Sequence, residues 1–325
     1  MHKARKQTLF TREASGWFKG LAIIMVILSH YAEWWSWFHT EEGIAELIRD
    51  GISRCGPYGV AVFLLFSGYG LAKSAGKKRI DGRFILKRLI NVYLPYVLVV
   101  IIIELLSGGF EAPGDIVEIL YGQDFWYMTV LFTFYIAFIV IWLVFSNCHI
   151  RAILISAFVV AYSNYLYRMG EYDFWYISNA AFIIGVVLAV YEQVLMKIIK
   201  KISVPFAVLS GAASLYVIYS ALYIEHIWSS PVDEIRNRII SVLIFTLFVV
   251  FAATVWKWYD PVTRVLGKYS LYLYLSHTFL FMWAVNYFQF EMTVRFLLAF
   301  LITMGVSLVF GALFDRLTTI FCHNA

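Results

Sequence analysis

The chain contains little charge. Only 14% of its 325 residues are Asp, Glu, Lys or Arg, whereas 62% are hydrophobic and the mean hydropathy is +0.76. Soluble domains carry about 25% charged residues, so this composition excludes an ordinary soluble fold. The net charge of +5 is small, and the basic residues lie beside apolar runs rather than in a patch of their own. We therefore expect no nucleic-acid partner.

Cysteine and proline are also scarce. The three cysteines, Cys55, Cys148 and Cys322, lack the paired spacing of a zinc site or a disulfide framework, so no metal site is predicted. The chain has no Gly-rich phosphate loop. It also shows no internal repeat, a feature that many secondary transporters have.

Long apolar stretches are abundant instead. Spans of roughly 17–25 apolar residues are long enough to cross a bilayer core of about 30 Å. The sequence therefore predicts an all-α, polytopic membrane bundle of about ten transmembrane helices, formed as one domain over residues 1–325. The predicted spans are 17–38, 56–74, 84–106, 125–146, 151–167, 174–197, 203–224, 238–257, 269–288 and 293–320.

The basic residues predict the orientation of these spans. Most of the 26 Lys and Arg residues lie on the side of the N-terminus, and the acidic residues are concentrated in the opposite loops. Cytoplasmic loops carry the excess of Lys and Arg. Both termini are therefore predicted to be cytoplasmic.

The first span contains ionisable residues, which indicate function by default inside a membrane. Lys19 and His30 are eleven residues apart, about three helical turns, so they share one face, and Glu33 follows one turn later. If Lys19 marks the membrane edge, His30 lies roughly 16 Å further in, near the midplane. His30 could hydrogen-bond between helices or act as a general base. Glu33 could orient the imidazole or cap the outer end of the helix.

Five segments occur in a fixed order along residues 17–280. They are Phe18-Lys19-Gly20-Leu21 with Ser29-His30, then Phe63 to Tyr69, Phe84 to Tyr96, Phe125-Trp126-Tyr127-Met128, and Leu266 to His277. In this order they resemble the membrane acyltransferase-3 family, bacterial enzymes that move acyl groups, usually acetyl, onto cell-surface sugars and polymers. Lys19 stands where the family has an arginine, and Asn91 stands where it has the second arginine of a basic pair.

The resemblance implies an integral-membrane O-acyltransferase of the bacterial inner membrane. Its donor would be an acyl-CoA, usually acetyl-CoA, and its acceptor a hydroxyl of a surface carbohydrate. It assigns catalysis to His30, and the position of Glu33 one turn away makes Glu33 the second predicted catalytic residue. The residues that it places around the donor are Lys19, Lys87, Arg88, Tyr274 and His277.

Simpler structural roles remain open for several of these residues. Lys87 and Arg88 could be topology determinants, and Tyr274 with His277 could be a satisfied polar pair. Trp126 and Tyr127 begin a span at the outer side, which is typical of an interfacial aromatic belt, with a sugar platform as the alternative.

Two other function classes compete with the acyltransferase. A proton-coupled transporter or flippase could use His30 and Glu33 as a proton relay. A glycan polymerase or a non-catalytic scaffold is the third alternative. The missing repeat and the order of the motifs favour the acyltransferase over the transporter. The longest predicted outer loops, 39–55 and 107–124, are short for a polymerase.

Overall fold

The structure is a computed structural model that describes residues 8–39, 42–77, 80–108, 120, 125–223 and 231–323. Within these ranges the chain is helical and contains no strand. The fold is therefore an all-α polytopic membrane bundle, as the sequence predicts.

The first half of the bundle contains a short π-helix between two α-helices. Its elements are α1 (Arg12–Ser36), α2 (Ile44–Ser53), α3 (Gly56–Lys77), α4 (Gly82–Arg88), the π-helix (Leu89–Tyr93), α5 (Leu94–Ser107) and α6 (Trp126–Val144). The second half comprises α7 (Cys148–Met169), a 3₁₀ turn (Asp173–Trp175), α8 (Ala180–Val190), α9 (Glu192–Tyr223), α10 (Pro231–Val255), α11 (Pro261–Lys268), α12 (Ser270–Tyr287) and α13 (Met292–His323).

Nine helical segments within the described ranges are long and apolar enough to cross a membrane. They coincide with nine of the predicted spans. The remaining prediction, 269–288, corresponds to α12, which is a helix of the bundle but is not among the nine. Its Ser, His and Tyr side chains lower its apolar character. Several of them, including Ser270, Tyr274 and His277, are buried in the bundle rather than exposed.

Glycines allow α1 to pack closely against two neighbours. A Cβ added at Gly56 of α3 would lie 2.7 Å from the Ser29 hydroxyl, and one at Gly59 would lie 2.6 Å from the Ala22 carbonyl. A Cβ at Gly267 of α11 would lie 1.7 Å from the Gly16 carbonyl. These backbone contacts hold α1 between α3 and α11.

The start of α11 is fixed by one carboxylate. Asp260 accepts hydrogen bonds from the Thr263 backbone N–H at 2.8 Å and from the Trp17 indole at 2.7 Å. These bonds lower the pKa of Asp260, with the Thr263 N–H as the largest cause. Asp260 therefore caps α11 and ties it to α1.

The depth predicted for α1 is wrong by about half a span. Ser29 lies against Gly56, the first residue of α3, whereas Lys19 lines the same cavity as Phe66 and Ser67, which are in the middle of α3. Since α3 has 22 residues and is about 33 Å long, Lys19 is near the middle of the bundle. His30 is near the end that is predicted to face outside. The prediction placed Lys19 at the membrane edge, whereas α1 begins at Arg12, seven residues before Lys19. Lys19 and His30 therefore both lie further along the span than predicted.

Candidate active site

An open cavity of about 240 Å³ lies between α1, α3, α4, the π-helix and α6. Its charged lining comes from separate helices: Lys19 from α1, and Lys87 with Arg88 from the end of α4. Three of the predicted donor-binding residues therefore share one cavity. The other lining residues are Phe66, Ser67, Gly70, Leu71, Asn91, Val92 and Tyr135.

The three cations of this cavity have no acidic partner among the described residues. No carboxylate in the described ranges forms an ion pair with Lys19, Lys87 or Arg88. Other basic residues are paired; Lys268, for example, lies 2.5 Å from Asp315. Because uncompensated positive charge is costly inside a membrane bundle, this arrangement fits an anionic ligand such as a phosphate group.

The π-helix explains how Lys87 and Arg88 reach the cavity. Pro95 lacks a backbone N–H, and its ring conflicts with the carbonyl of residue 91, so a regular helix cannot continue through this segment. The wider π turn accommodates the proline. The Asn91 amide donates to the Lys87 carbonyl at 2.6 Å, and Arg88 donates to the Phe84 carbonyl at 3.0 Å.

Arg88 is held in place but keeps free donors. Its guanidinium carbon lies 3.5 Å from the centroid of the Phe84 ring. Only one of its five N–H groups is used in the bond to Phe84. The remaining N–H groups are available for a ligand in the cavity.

His30 lies on the inward face of α1. Leu28 is exposed, and Leu21 and Met25 are half-buried on the same side, which identifies the face that contacts lipid. His30 is about 200° around the helix from Leu28. Its side chain is nevertheless 36% exposed.

Glu33 lies one turn beyond His30, and its carboxylate oxygen is 3.8 Å from His30 Nδ1. The carboxylate is more exposed than the imidazole, at 58%. At this distance Glu33 can stabilise a protonated His30 electrostatically. The two predicted catalytic residues are therefore neighbours.

His277 of α12 packs against His30, with ring centroids 5.2 Å apart. Its Nδ1 lies 2.6 Å from the Tyr274 carbonyl. Because a carbonyl only accepts hydrogen bonds, His277 donates through Nδ1–H. Tyr274 and His277 were predicted to contact the donor, but they do not line the cationic cavity. They lie instead between Tyr127 and His30, with ring centroids 5.2 Å apart for Tyr127–Tyr274.

Tyr127 is buried, so the aromatic-belt interpretation is wrong for this residue. Its ring contacts Phe63 and Tyr274. Trp126 instead contacts Phe174 and Trp175. The sequence did not predict that Tyr127 is buried, because a tyrosine at the start of a span is equally typical of a membrane interface and of a buried position.

A family model described as the acyltransferase domain of acyltransferase-3 proteins matches residues 13–312. The chain belongs to the acyltransferase-3 family. Comparisons with curated proteins and with solved structures gave no match. Family membership and the nine membrane-capable helices together make the protein a multi-pass membrane acyltransferase.

Two of the predicted site residues, Lys19 and His30, lie on one face of α1. Lys19 and His30 are about three turns apart, so their Cα atoms are separated by roughly 16 Å along the helix. Lys19 lines the cationic cavity, and His30 packs against His277. A cationic cavity can hold an anion, and a histidine can accept a proton.

Proposed function

We propose that this acyltransferase moves an acetyl group from acetyl-CoA to a hydroxyl group of a cell-surface sugar or polysaccharide. The observation that carries the proposal is the pairing of a cationic cavity, whose cations have no carboxylate partner in the described part of the chain, with a partly exposed histidine on the same face of α1. A donor of this class has a phosphorylated end, a long arm and a reactive thioester, in that order.

The separation of the two parts matches the length of that arm. Twelve bonds join the phosphate oxygen of coenzyme A to its sulfur, the same number as in four residues of backbone. At about 3.5 Å per extended residue the arm spans about 14 Å, compared with roughly 16 Å between Lys19 and His30. Phosphates held at Lys19 and Arg88 therefore leave the thioester within reach of His30.

The reaction assigns one task to each part. His30 removes the proton from the acceptor hydroxyl as its oxygen attacks the thioester carbonyl. The carbon–sulfur bond then breaks, and the leaving thiolate takes the proton from His30. Glu33 stabilises the charged imidazole between these steps, and the Nδ1–H tautomer of His277 keeps a neutral ring beside it.

The level of His30 in the bundle indicates where the acceptor approaches. His30 is close to Ser29, which lies against the first residue of α3, at the end predicted to face outside. The cationic cavity is deeper and opens beside α4, which follows the predicted cytoplasmic turn. The acetyl group would therefore cross the membrane while still attached to the donor, in the inner membrane of a bacterium.

Acetyl-CoA labelled in the acetyl group tests the donor and the acceptor together. The purified protein is incubated with the labelled donor and with surface polysaccharide from cells that lack the gene. We expect label on the polysaccharide and release of free coenzyme A. Absence of transfer, binding and hydrolysis with every acyl-CoA tested would contradict the proposal.

A cellular experiment tests the role of His30. Cells with the His30→Ala variant should lose surface O-acetyl groups at normal protein abundance. His149→Ala is the matched control, since His149 is exposed at the start of α7 and distant in the fold from the cavity. Wild-type acetylation in the His30→Ala cells would contradict the assignment.

A further inference from the structure

A second cavity, of about 340 Å³, lies at the end of the bundle that is predicted to be cytoplasmic. Its volume is in the range of small-molecule binding pockets, about 300–1,000 Å³. The cavity lies where three helices meet: Ala75 is near the end of α3, Trp142 is near the end of α6, and Arg151 is in the first turn of α7. None of the predicted site residues lines it.

The second cavity and the cationic cavity follow one another along α3 and α6. Leu71 lines the cationic cavity, and Ala75, about one turn later on α3, lines the second. On α6, Tyr135 lines the cationic cavity, and Trp142, two turns later on the same face, lines the second. At about 1.5 Å per residue, the two cavities are therefore offset by roughly 6–11 Å along the helices.

Arg151 is fixed at the wall of the second cavity by the C-terminal end of α6. Its Nη2 donates to the Trp142 carbonyl at 2.7 Å, and its Nε donates to the Phe145 carbonyl. These bonds use two of its five N–H groups, so three are left for a ligand. No carboxylate in the described part of the chain forms an ion pair with Arg151.

The wall beside this guanidinium group is mainly apolar. Ile80 and Trp142 line the cavity and are buried. Phe138, which is also buried, supports the indole by stacking on it, with ring centroids 3.7 Å apart. Ser146 adds a hydroxyl group at the exposed rim. An apolar wall next to a guanidinium group with free donors suits a flat ring that carries a phosphate.

The nucleotide end of coenzyme A has this chemistry, since it is an adenosine with a phosphate on its ribose. Six bonds join the ribose-bearing nitrogen of adenine to the nearest phosphorus of the diphosphate, as many as in two residues of backbone. At about 3.5 Å per extended residue this link spans about 7 Å, which falls within the offset of the two cavities. With the diphosphate at Lys19 and Arg88, the adenosine therefore reaches the second cavity.

We propose that the second cavity binds the adenosine 3′-phosphate of the acyl donor, with the phosphate on Arg151 and the adenine against Ile80 and Trp142. The proposal rests on the proposed use of acyl-CoA. Nucleotide, diphosphate, arm and thioester then follow one another from the cytoplasmic end of the bundle to His30. The second cavity thereby favours a free acyl-CoA over a thioester that ends at its phosphopantetheine.

Three donors test this subsite. They are acetyl-CoA, its dephospho form, which lacks only the 3′-phosphate, and S-acetylphosphopantetheine, which also lacks the adenosine. Transfer of acetyl to the surface polysaccharide gives the KM for each donor. The Arg151→Met variant removes the guanidinium group and should raise the KM for acetyl-CoA about 10-fold. It should leave the KM for the dephospho form unchanged, because this donor has no 3′-phosphate for Arg151 to bind.

A second variant fills the cavity without removing a hydrogen bond of Arg151. Ala75→Leu should raise the KM for both adenosine-bearing donors and leave that for S-acetylphosphopantetheine unchanged. Arg168→Met is the matched control for Arg151→Met, since Arg168 is exposed at the other end of α7. Ala157→Leu, at an exposed position of α7, is the control for Ala75→Leu. Thermal melting of each variant shows whether it is folded.

The outcomes separate the subsite from the donor assignment. A rise in KM that is confined to acetyl-CoA in Arg151→Met supports the subsite. An equal rise with all three donors would show that Arg151 acts only by holding the end of α6. Unchanged KM values would leave the second cavity to another phosphate, such as a lipid headgroup. Either result overturns the subsite while the wild type still uses acetyl-CoA. If the wild type uses none of the three donors, both proposals fail.

Discussion

The rings of His30 and His277 lie 5.2 Å apart, yet only His30 is accessible. His277 is 3% exposed and donates its Nδ1 proton to the Tyr274 carbonyl. Two positive charges at this separation would repel each other strongly in a bundle core. In the proposed mechanism His30 is therefore the ring that takes the proton from the acceptor, and His277 is the ring that positions it.

Replacing Glu33 with glutamine tests the electrostatic part of this arrangement. The Glu33→Gln change keeps the shape of the side chain but removes its charge 3.8 Å from His30. Because the carboxylate is 58% exposed, solvent screens it, and we expect only about a fivefold fall in kcat. Initial rates with saturating donor and acceptor measure it. A loss as large as that of His30→Ala would show that Glu33 itself takes the proton.

Adding a cation to the cavity should strengthen donor binding. Asn91 lines the cavity beside Lys87 and Arg88. The Asn91→Arg variant introduces a guanidinium group that can bind a phosphate with two hydrogen bonds. We expect the KM for acetyl-CoA to fall about fivefold. Asn164→Arg, at an exposed position of α7, adds the same charge elsewhere and should leave the KM unchanged.

Breaking the buried ion pair near the N-terminus should destabilise the protein. Glu192 is 2% exposed and accepts hydrogen bonds from the Leu9 backbone N–H, the Tyr69 hydroxyl and the Lys73 ammonium. The Glu192→Ala variant removes the acceptor for all three. A loss of about 3 kcal/mol in the free energy of unfolding is expected, measured by thermal or denaturant unfolding in detergent.

Lys268→Met is the comparison for this loss, because the Lys268–Asp315 pair is half-exposed and should contribute less than about 1 kcal/mol. An equal effect of the two variants would contradict the role of burial.

The close approach of α11 to α1 should tolerate no side chain at Gly267. A Cβ there would lie 1.7 Å from the Gly16 carbonyl, so Gly267→Ala must push the two helices apart. We expect a loss of about 2 kcal/mol. Gly305→Ala is the control, since a Cβ at Gly305 meets no atom within 4 Å. Unfolding curves of the two variants compare them directly.

The sequence predicted those features that depend on local pattern. Apolar length predicted the spans, and the eleven-residue spacing placed Lys19 and His30 on one face of α1. The motifs that resemble the family also identified Lys87 and Arg88 as candidate donor-binding residues, and both line the cavity together with Lys19.

Features that depend on contacts between distant helices were not predicted. The depth of His30 follows from how α1 sits against α3, and the His30–His277 pair joins residues far apart in the chain. Hydropathy also treats Tyr127 as an interfacial residue, because tyrosine suits both a membrane boundary and a buried hydrogen bond. The packing of the helices decides between a boundary and a buried position, and this packing cannot be predicted from a local sequence pattern.

Donor binding and acetyl transfer by the His30→Ala variant, measured side by side, test the central claim most directly. Binding is measured by titration of the purified protein with acetyl-CoA, and transfer with the labelled donor and the acceptor. We predict that the variant binds acetyl-CoA as tightly as the wild type and transfers acetyl at least 100-fold more slowly, about the loss expected for a general base. Transfer at the wild-type rate, or loss of donor binding together with transfer, would contradict the division of the site into a cationic cavity and a separate histidine.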